Sequence, residues 1–300
     1  MARVLGVSCS GRKNGFTATL LKNMLEAVET VDDVEVEMIY PMSYKFGPCI
    51  SCFDCIRNPE HTCPLNDDFG RKGEGVLFKK IKEANGLIIA SAVHNYGITA
   101  IAHVFLERLY PFVWSGYLRG MPFVGITCGS NQGMHLEAMK GLCRMAYTLR
   151  LQWIDGLPVH TCYYERAINE AKMIGINLAK FAKEDEKRRR KFTDTERMLH
   201  YQSLPWKPLE VIIKNLEMIN KSIKNDVFRR KEAIKFLKMA DTEYRKAIHY
   251  RQLMNYEKAI QHLNLALSNW ARATWLEYLE QKVIGVKTPE AYRPTKGEFV

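Results

Sequence analysis

Long apolar runs are absent from this sequence. No stretch reaches the roughly 18–20 uninterrupted apolar residues that a membrane-spanning helix needs. The N-terminal segment Met1–Val7 has too short an apolar run for a secretory signal peptide, and polar loop residues follow it directly. The sequence therefore predicts a cytoplasmic protein that does not enter a membrane.

Acidic residues are too few to balance the basic ones, and the chain carries a net charge of +11. The charge is uneven. From Glu186 onward 24 lysines and arginines stand against 14 acidic residues, whereas the preceding part has 20 against 19. The basic character therefore belongs to the C-terminal third, which we expect to form a separate region.

Short apolar runs alternate with amphipathic, helix-length segments over about the first 180 residues. The runs are Arg3–Ser8, Val34–Tyr40, Gly86–Ser91, Pro122–Thr127 and Leu151–Val159. The helical segments cover about 16–30, 69–84, 98–112 and 132–149, and another starts near 164. The first, third and fourth runs are almost continuously aliphatic, as parallel strands buried on both faces require. This order predicts an α/β fold with a doubly wound, five-stranded parallel sheet, which binds ligands beyond the carboxyl ends of its strands.

A charged run at Lys183–Lys191 precedes a purely helical pattern. Apolar residues at three- and four-residue spacing predict helices at about 207–222, 225–252 and 255–281, followed by an extended tail at Thr288–Val300. We therefore divide the chain into an α/β domain over residues 1–185 and an all-α, basic region over residues 186–300.

The loop after the first strand offers hydroxyl groups, two cations and two glycines, and it contains no acid. Free N–H groups and the positive dipole end of the helix that follows make such a loop an anion site. The loop lacks the glycine spacing of dinucleotide folds and the lysine pattern of phosphate loops, so a single phosphate fits it better. The alternative to a phosphate site is an ordinary polar turn between a strand and a helix. The candidate phosphate contacts are Ser8, Ser10, Arg12, Lys13, Asn14, Gly15, Phe16 and Thr17.

This loop resembles the phosphate loop of the NADPH-dependent FMN reductases, a branch of the flavodoxin-like proteins. The matching positions are Ser10, Arg12, Gly15 and Thr17. Gly11 replaces the usual proline of the family and Phe16 the usual asparagine, so we expect one side-chain contact to the phosphate to be lost.

Two further loops resemble the flavin loops of the same family. One takes the place of the isoalloxazine loop after the third strand and comprises Ser91, Ala92, Val93, His94, Asn95, Tyr96 and Gly97. Ala92 and His94 depart from the commonest residues of the family, and local packing is the alternative role for His94 and Tyr96. The other takes the place of the glycine-rich loop after the fourth strand and contributes Thr127, Cys128, Gly129 and Gly133. The resemblance implies a flavodoxin-like fold with FMN across all three loops.

Four of the eight cysteines lie within fifteen residues, at Cys49, Cys52, Cys55 and Cys63. In a cytosolic chain such a group indicates a metal site before it indicates disulfides. Three thiolates at two-residue gaps with a fourth further along suit a [4Fe–4S] cluster, whereas structural zinc usually takes two separated pairs. Zinc, a redox disulfide set and no metal at all remain alternatives. The other four cysteines are predicted to be buried structural thiols, and they are Cys9, Cys128, Cys143 and Cys162.

Flavin loops together with a cysteine segment at residues 47–64 resemble the iron–sulfur flavoproteins over about residues 1–185. The resemblance implies a cluster close to FMN, often that of the neighbouring subunit, in homo-oligomeric dimers or tetramers. The implied function is that of an oxidoreductase which converts between one-electron carriers, such as ferredoxin, and two-electron donors or acceptors. No catalytic acid or base is assigned, because the protein would tune its cofactors through burial, hydrogen bonds and charge.

Two other functions stay open. In one, the protein is a flavin or quinone reductase that uses NAD(P)H directly and holds zinc or nothing at its cysteines. In the other, the basic helical region binds an acidic partner such as ferredoxin, or nucleic acid, through long-range attraction. A solvated basic face is favoured over both kinds of partner, and nucleic acid is favoured least.

Overall fold

The computed structural model describes residues 1–131, 133–190, 192–206, 216–217, 220–221, 228–280 and 285. The chain forms two compact units. The first consists of Met1–Cys55 and Glu60–Lys191, and the second of Ile56–Pro59 and Phe192–Val300. No described helix is long and apolar enough to cross a membrane.

The first unit contains a six-stranded sheet. Its strands are β1 Ala2–Cys9, β2 Val34–Ile39, β3 Gly86–His94, β4 Gly97–Ile98, β5 Pro122–Gly129 and β6 Gln152–His160. Five strands pair in parallel in the order β2-β1-β3-β5-β6, and β4 is a short antiparallel addition to β3. The predicted doubly wound, flavodoxin-like parallel sheet is confirmed, and its strand order reverses between β1 and β3.

Helices cover both faces of this sheet. The helices of this part of the chain are α1 Phe16–Glu29, α2 Asp54–Arg57, α3 Val76–Glu83, α4 Ala100–Glu107, α5 Tyr110–Ser115, α6 His135–Thr148 and α7 Tyr164–Lys187, and α2 runs across the boundary between the two units. α1 and α7 share one core with alternate residues of β1 and β5, and Gly175 lets them approach closely, since a Cβ there would lie 2.5 Å from the Met24 carbonyl oxygen. α6 packs on the opposite face, where a Cβ on Gly125 would lie 2.9 Å from Leu142.

Several predicted boundaries in this unit are wrong. The helix expected over 69–84 begins only at Val76, because Gly70 and Gly73 form tight turns before it; a Cβ on Gly70 would lie 1.9 Å from the Leu65 carbonyl oxygen. The helix expected over 98–112 breaks into α4 and α5, and Pro111 stands in the first turn of α5, a position that proline tolerates. β4 was not predicted.

The second unit is helical, as predicted. Its described helices are α8 Asp194–Ser203, α9 Lys231–Gln252 and α10 Tyr256–Thr274, and a π-helical turn at Trp275–Leu279 continues α10. α9 and α10 form a hairpin around Leu237, Tyr244 and Leu263. α8 was not predicted. Most of the helix expected over 207–222 and the whole tail at Thr288–Val300 lie outside the described residues.

Candidate functional site

Strand register brings the three candidate loops to one edge of the sheet. Cys9 at the end of β1 lies opposite Ser91 of β3, and Ser91 lies opposite Thr127 of β5. The loops that follow these three strands therefore start side by side at the carboxyl edge, next to the point where the strand order reverses.

A buried hydroxyl group at the first loop has no hydrogen-bond partner among the described residues. Ser8 is 1% exposed, and its Oγ has no partner in the described part of the chain. It lies on the same face of β1 as Gly6, the face covered by α1. α1 begins after Gly15 with no side-chain cap and no acid in its first turn, so its N–H groups are open to an anion.

The remaining residues of this loop divide into a buried floor and an exposed rim. Ser10 Oγ accepts a 3.3 Å hydrogen bond from the Arg12 N–H, which folds the loop back on itself, and Thr17 is buried. The rim residues Arg12, Lys13 and Asn14 are exposed. Phe16 also lies outside, because its ring packs edge-on against Tyr164 with centroids 4.7 Å apart. Hydroxyl and backbone groups thus line the floor, with two cations above it.

In the loop after β3, the first residue, Ser91, differs from the residues that follow it. The Ser91 hydroxyl is fully buried and accepts a 3.0 Å hydrogen bond from the Thr99 N–H, while the Thr99 hydroxyl donates to the Cys9 carbonyl at 2.8 Å. These bonds tie the ends of β1 and β3 together. The Ser91 side chain therefore serves the scaffold, and Ala92 and Val93 after it are half-buried.

The rest of that loop is a tight hairpin between β3 and β4. His94 pairs with Gly97 across a two-residue turn formed by Asn95 and Tyr96. Both turn residues have positive φ, 47° for Asn95 and 65° for Tyr96, the backbone of a turn that usually carries Asn-Gly. A tyrosine in this region costs about 1–2 kcal/mol. Backbone strain of this kind is concentrated at functional sites, and the Tyr96 side chain is 59% exposed.

The loop after β5 approaches itself too closely for side chains. A Cβ on Gly129 would lie 2.3 Å from the Gly133 carbonyl oxygen, and Gly133 has a φ of +82°. The Thr127 hydroxyl donates a 2.7 Å hydrogen bond to the His135 carbonyl, which anchors the start of α6. Cys128 is buried, and burial raises the pKa of its thiol. At Gly129 and Gly133 the backbone at the carboxyl edge of the sheet is therefore not covered by a side chain of its own.

Two histidines beside this loop were missed by the sequence analysis. The rings of His135 and His160 lie 5.8 Å apart, and His135 Nδ1 is buried with no partner among the described residues. Burial lowers the pKa of His135, and the neighbouring His160 lowers it further. Neither histidine stands in a motif, so the sequence carried no signal for them.

All four clustered cysteines line a single cavity of about 250 Å³. Burial, together with the charges of Cys49, Cys63 and Cys52, raises the pKa of the Cys55 thiol to about 12. The raised pKa means that a buried thiolate is unfavourable at this position. A positively charged metal group in the cavity would stabilise the thiolate, which is the form that binds metals. In the described residues, no three Cys, His, Asp or Glu side chains lie close enough to hold one metal ion. Four thiols around one cavity are the donor set of a thiolate-ligated metal group.

An arginine also lines this cavity and was not predicted. Arg108 is 2% exposed, and it forms a two-pronged ion pair with Asp67 at 2.6 and 2.8 Å. Burial raises the pKa of Asp67, but the hydrogen bond and charge of Arg108 more than offset this effect, so the pKa lies below its ordinary value. Arg108 also donates to the Gly47 carbonyl at 2.9 Å and to Cys63 Sγ at 3.5 Å.

The cysteines outside the cluster fit the structural role predicted for them, with one exception. Cys9, Cys128 and Cys143 are buried, and burial raises the pKa of Cys143 to about 12. Cys162 is exposed, so its predicted burial is wrong. It lies in a single 3₁₀ turn between β6 and α7, where the side chains face outward.

The topology and the three loops define a flavin-dependent redox protein of the flavodoxin-like class. The chain belongs to the NADPH-dependent FMN reductase family, whose model matches residues 2–156. Membership of this family implies FMN as the cofactor and oxidoreductase chemistry.

Among curated proteins, the chain is 30% identical over 130 residues to an iron-sulfur flavoprotein of Methanocaldococcus jannaschii, which covers 43% of this chain and 63% of the relative. It is 28% identical over 118 residues to an iron-sulfur flavoprotein of Archaeoglobus fulgidus, covering 39% of this chain and 50% of the relative. The match thus spans between half and just under two thirds of the length of these relatives.

Among solved structures, the chain is similar to a flavone reductase, with 18% identity, a TM-score of 0.47, and coverage of 64% of this chain and 67% of the other. It is also similar to a WrbA-like flavodoxin from Agrobacterium tumefaciens, with 14% identity, a TM-score of 0.41, and coverage of 62% and 99%.

Proposed function

We propose that this protein passes electrons between a [4Fe–4S] cluster and FMN, and so converts between one-electron carriers and two-electron donors or acceptors. When bound, FMN exchanges one or two electrons and the cluster exchanges one at a time. The observation that carries the proposal is the single cavity lined by Cys49, Cys52, Cys55 and Cys63. The names of the archaeal relatives agree with it.

The residues of the first unit would hold the two groups at different places. The four thiolates would bind the cluster in their cavity. The unpartnered Ser8 hydroxyl and the uncapped start of α1 would bind the FMN phosphate, with Arg12 and Lys13 closing over it. The bare backbone at Gly129 and the strained hairpin at Tyr96 would line the flavin ring.

The main alternative is a flavin or quinone reductase that takes electrons directly from NAD(P)H, with zinc or no metal at the cysteines. The cysteine spacing favours a cluster over zinc, because structural zinc usually takes two separated pairs. The two functions differ in one simple observation: under the alternative, NADPH alone bleaches the flavin.

Two cysteine variants test the proposal with a matched control. Cys52 lines the cavity, whereas Cys162 is exposed and does not line it. We expect Cys52→Ser, purified anaerobically, to lose most of its iron and acid-labile sulfide while it keeps FMN, and Cys162→Ser to keep all three. In the variant that retains FMN without iron, we expect reduction of the flavin by a reduced ferredoxin to slow at least tenfold. Equal iron content in the two variants, or rapid bleaching of the wild-type flavin by NADPH alone, would overturn the proposal.

A further inference from the structure

A buried cation stands at the wall of the cysteine cavity and points one of its donors at a predicted ligand. One terminal nitrogen of Arg108, Nη2, donates to Cys63 Sγ at 3.5 Å and to Asp67 Oδ1 at 2.8 Å. The other, Nη1, donates to Asp67 Oδ2 at 2.6 Å and to the Gly47 carbonyl at 2.9 Å. The guanidinium also lies 5.4 Å from the centre of the Phe69 ring, which fixes its plane.

Arg108 therefore joins three parts of the cavity wall. Gly47 precedes the first cysteine, Cys63 is the fourth, and Asp67 follows four residues later. The Asp67 carboxylate is itself held by the Phe69 and Gly70 N–H groups at 3.0 and 2.8 Å. The other charged side chain that lines the cavity is Glu107, which accepts a 3.3 Å hydrogen bond from the Cys49 N–H. Of the four cysteines, Cys63 is thus the one whose sulfur accepts a hydrogen bond from Arg108 among the described contacts.

Burial of Arg108 and Asp67 strengthens the electrostatic effect of their charges on neighbouring groups. Arg108 is 2% exposed and Asp67 17% exposed, so water screens them weakly. For groups far from the pair, the Asp67 carboxylate cancels most of the Arg108 charge. Close to the pair, the hydrogen bond from Arg108 Nη2 to Cys63 Sγ is still present. Hydrogen bonds to cluster sulfurs and nearby net charge are two of the factors that set the potential of an iron–sulfur cluster.

We propose, resting on the cluster proposed above, that Arg108 raises the reduction potential of that cluster and that Asp67 limits the increase. Reduction by a one-electron carrier of the ferredoxin class adds one electron and no proton, so the bound group becomes more negative by one charge. A fixed donor and cation beside Cys63 stabilise that added charge. A carboxylate behind the cation opposes it, and the two residues thus act on the potential in opposite directions.

Two substitutions with opposite expected effects test this idea on the full-length holoprotein. Arg108→Gln removes the cation and leaves the Asp67 charge, so we expect the potential to fall. Asp67→Asn removes the opposing charge, so we expect it to rise. An asparagine oxygen in the place of Oδ1 can still accept the Phe69, Gly70 and Arg108 Nη2 bonds, which keeps the loop in place. The bond from Nη1 to Oδ2 is lost, because the amide nitrogen there is a donor, and Nη1 keeps its bond to the Gly47 carbonyl. Arg3→Gln is the control, because Arg3 pairs with Glu37 and Glu83 at the amino end of β1.

The measurement is an anaerobic redox titration of the cluster, followed by its electron paramagnetic resonance signal, with iron content determined for each variant. We expect a lower potential for Arg108→Gln, a higher one for Asp67→Asn, and no change for Arg3→Gln. If Arg108→Gln fails to retain iron, Arg108→Lys replaces it, and we expect its potential to lie below that of the wild type, because lysine lacks the forked donor that reaches Cys63 while it holds Asp67.

Three outcomes would overturn the idea in distinguishable ways. A wild-type protein without iron contradicts the proposed function itself. Iron-loaded variants that shift in the same direction contradict the role of the pair, because loosening of the loop, and not charge, would then explain both. Iron-loaded variants with the wild-type potential contradict any role of Arg108 beyond folding.

Discussion

At the scale of single residues, the candidate site depends on positions that only the folded chain brings together. Glycines and serines in the loops after β1 and β5 could be predicted from local sequence, because their residue types suit tight backbone turns and anion binding. Arg108, His135 and His160 could not be predicted, because each is one polar residue in a segment without a motif. Their roles follow from neighbours far away in the sequence, such as Asp67 and Cys63.

Gly133 gives a prediction at this scale. Its φ of +82° suits glycine, and a Cβ there would lie 3.1 Å from His135 Nδ1. We expect Gly133→Ala to lower the free energy of unfolding by about 1 kcal/mol or more and to weaken FMN binding. Gly141→Ala is the control, since Gly141 lies inside α6 with nothing within 4 Å of its Cβ position; it should stabilise by about 0.5–1 kcal/mol. Urea unfolding measures both, and changes of the same sign would contradict this explanation.

At the scale of elements, the long apolar strands were predicted well and the short or interrupted elements poorly. The buried strands β1, β3 and β5 carry continuous aliphatic runs that few other structures would accommodate. β4 has two residues, which is too few for any periodic pattern to show. α8 is ten residues long with a modest apolar stripe. Its signal lies in its first turn, where Thr193 and Glu196 have the spacing of a capping box.

The capping box of α8 provides a prediction for an element. Thr193 Oγ1 accepts a 3.1 Å hydrogen bond from the Glu196 N–H, and Glu196 Oε2 accepts a 2.9 Å bond from the Thr193 N–H. We expect Thr193→Ala to destabilise the helix by about 1 kcal/mol. Amide hydrogen exchange over residues 194–203, measured by mass spectrometry, should become several-fold faster.

A second threonine separates this effect from the general cost of removing a hydroxyl group. Thr242 lies inside α9, and its hydroxyl donates to the Lys238 carbonyl at 3.0 Å. Thr242→Ala should leave exchange over 194–203 unchanged and stabilise α9 slightly, because alanine is the better helix former. If exchange in α8 is the same in both variants, the capping interaction contributes nothing.

The contact between α9 and α10 predicts a dependence on pH. Glu243 accepts from His262 Nδ1 at 2.6 Å and from Lys246 Nζ at 2.8 Å. Burial raises the pKa of Glu243, but these hydrogen bonds and charges outweigh it, so the pKa lies below its ordinary value of 4.5. A lowered folded-state pKa stabilises the folded protein above the unfolded-state value, and this contribution is lost as the pH falls through the folded-state value.

We therefore expect the second unit of the wild type to lose stability between about pH 5 and pH 3 more steeply than the Glu243→Gln variant does. Hydrogen exchange over α9 and α10 at several pH values measures this loss. Equal slopes for the two proteins would show that Glu243 does not contribute in the way described.

At the scale of the whole molecule, the sequence was sufficient for the α/β class, the parallel sheet and the family. These depend on the order of apolar runs and on loops at three successive strand ends, all of which are local patterns. The spacing of the four cysteines was enough to predict that they lie together. The size of their cavity and the presence of Arg108 and Asp67 in its wall depend on how α4 packs against the cysteine segment. The basic helical unit lies outside residues 2–156, which the family model matches, and its role stays a prediction.

The central claim is that one chain holds both FMN and a [4Fe–4S] cluster. The most direct test is anaerobic purification of the full chain, followed by its ultraviolet–visible spectrum and by analysis of iron, acid-labile sulfide and zinc. We predict a flavin band with a broad brown shoulder, and about four irons and four sulfides per chain. A yellow protein that binds zinc but takes up no iron, even after reconstitution with iron and sulfide, would contradict the claim and leave a flavin reductase with a structural metal.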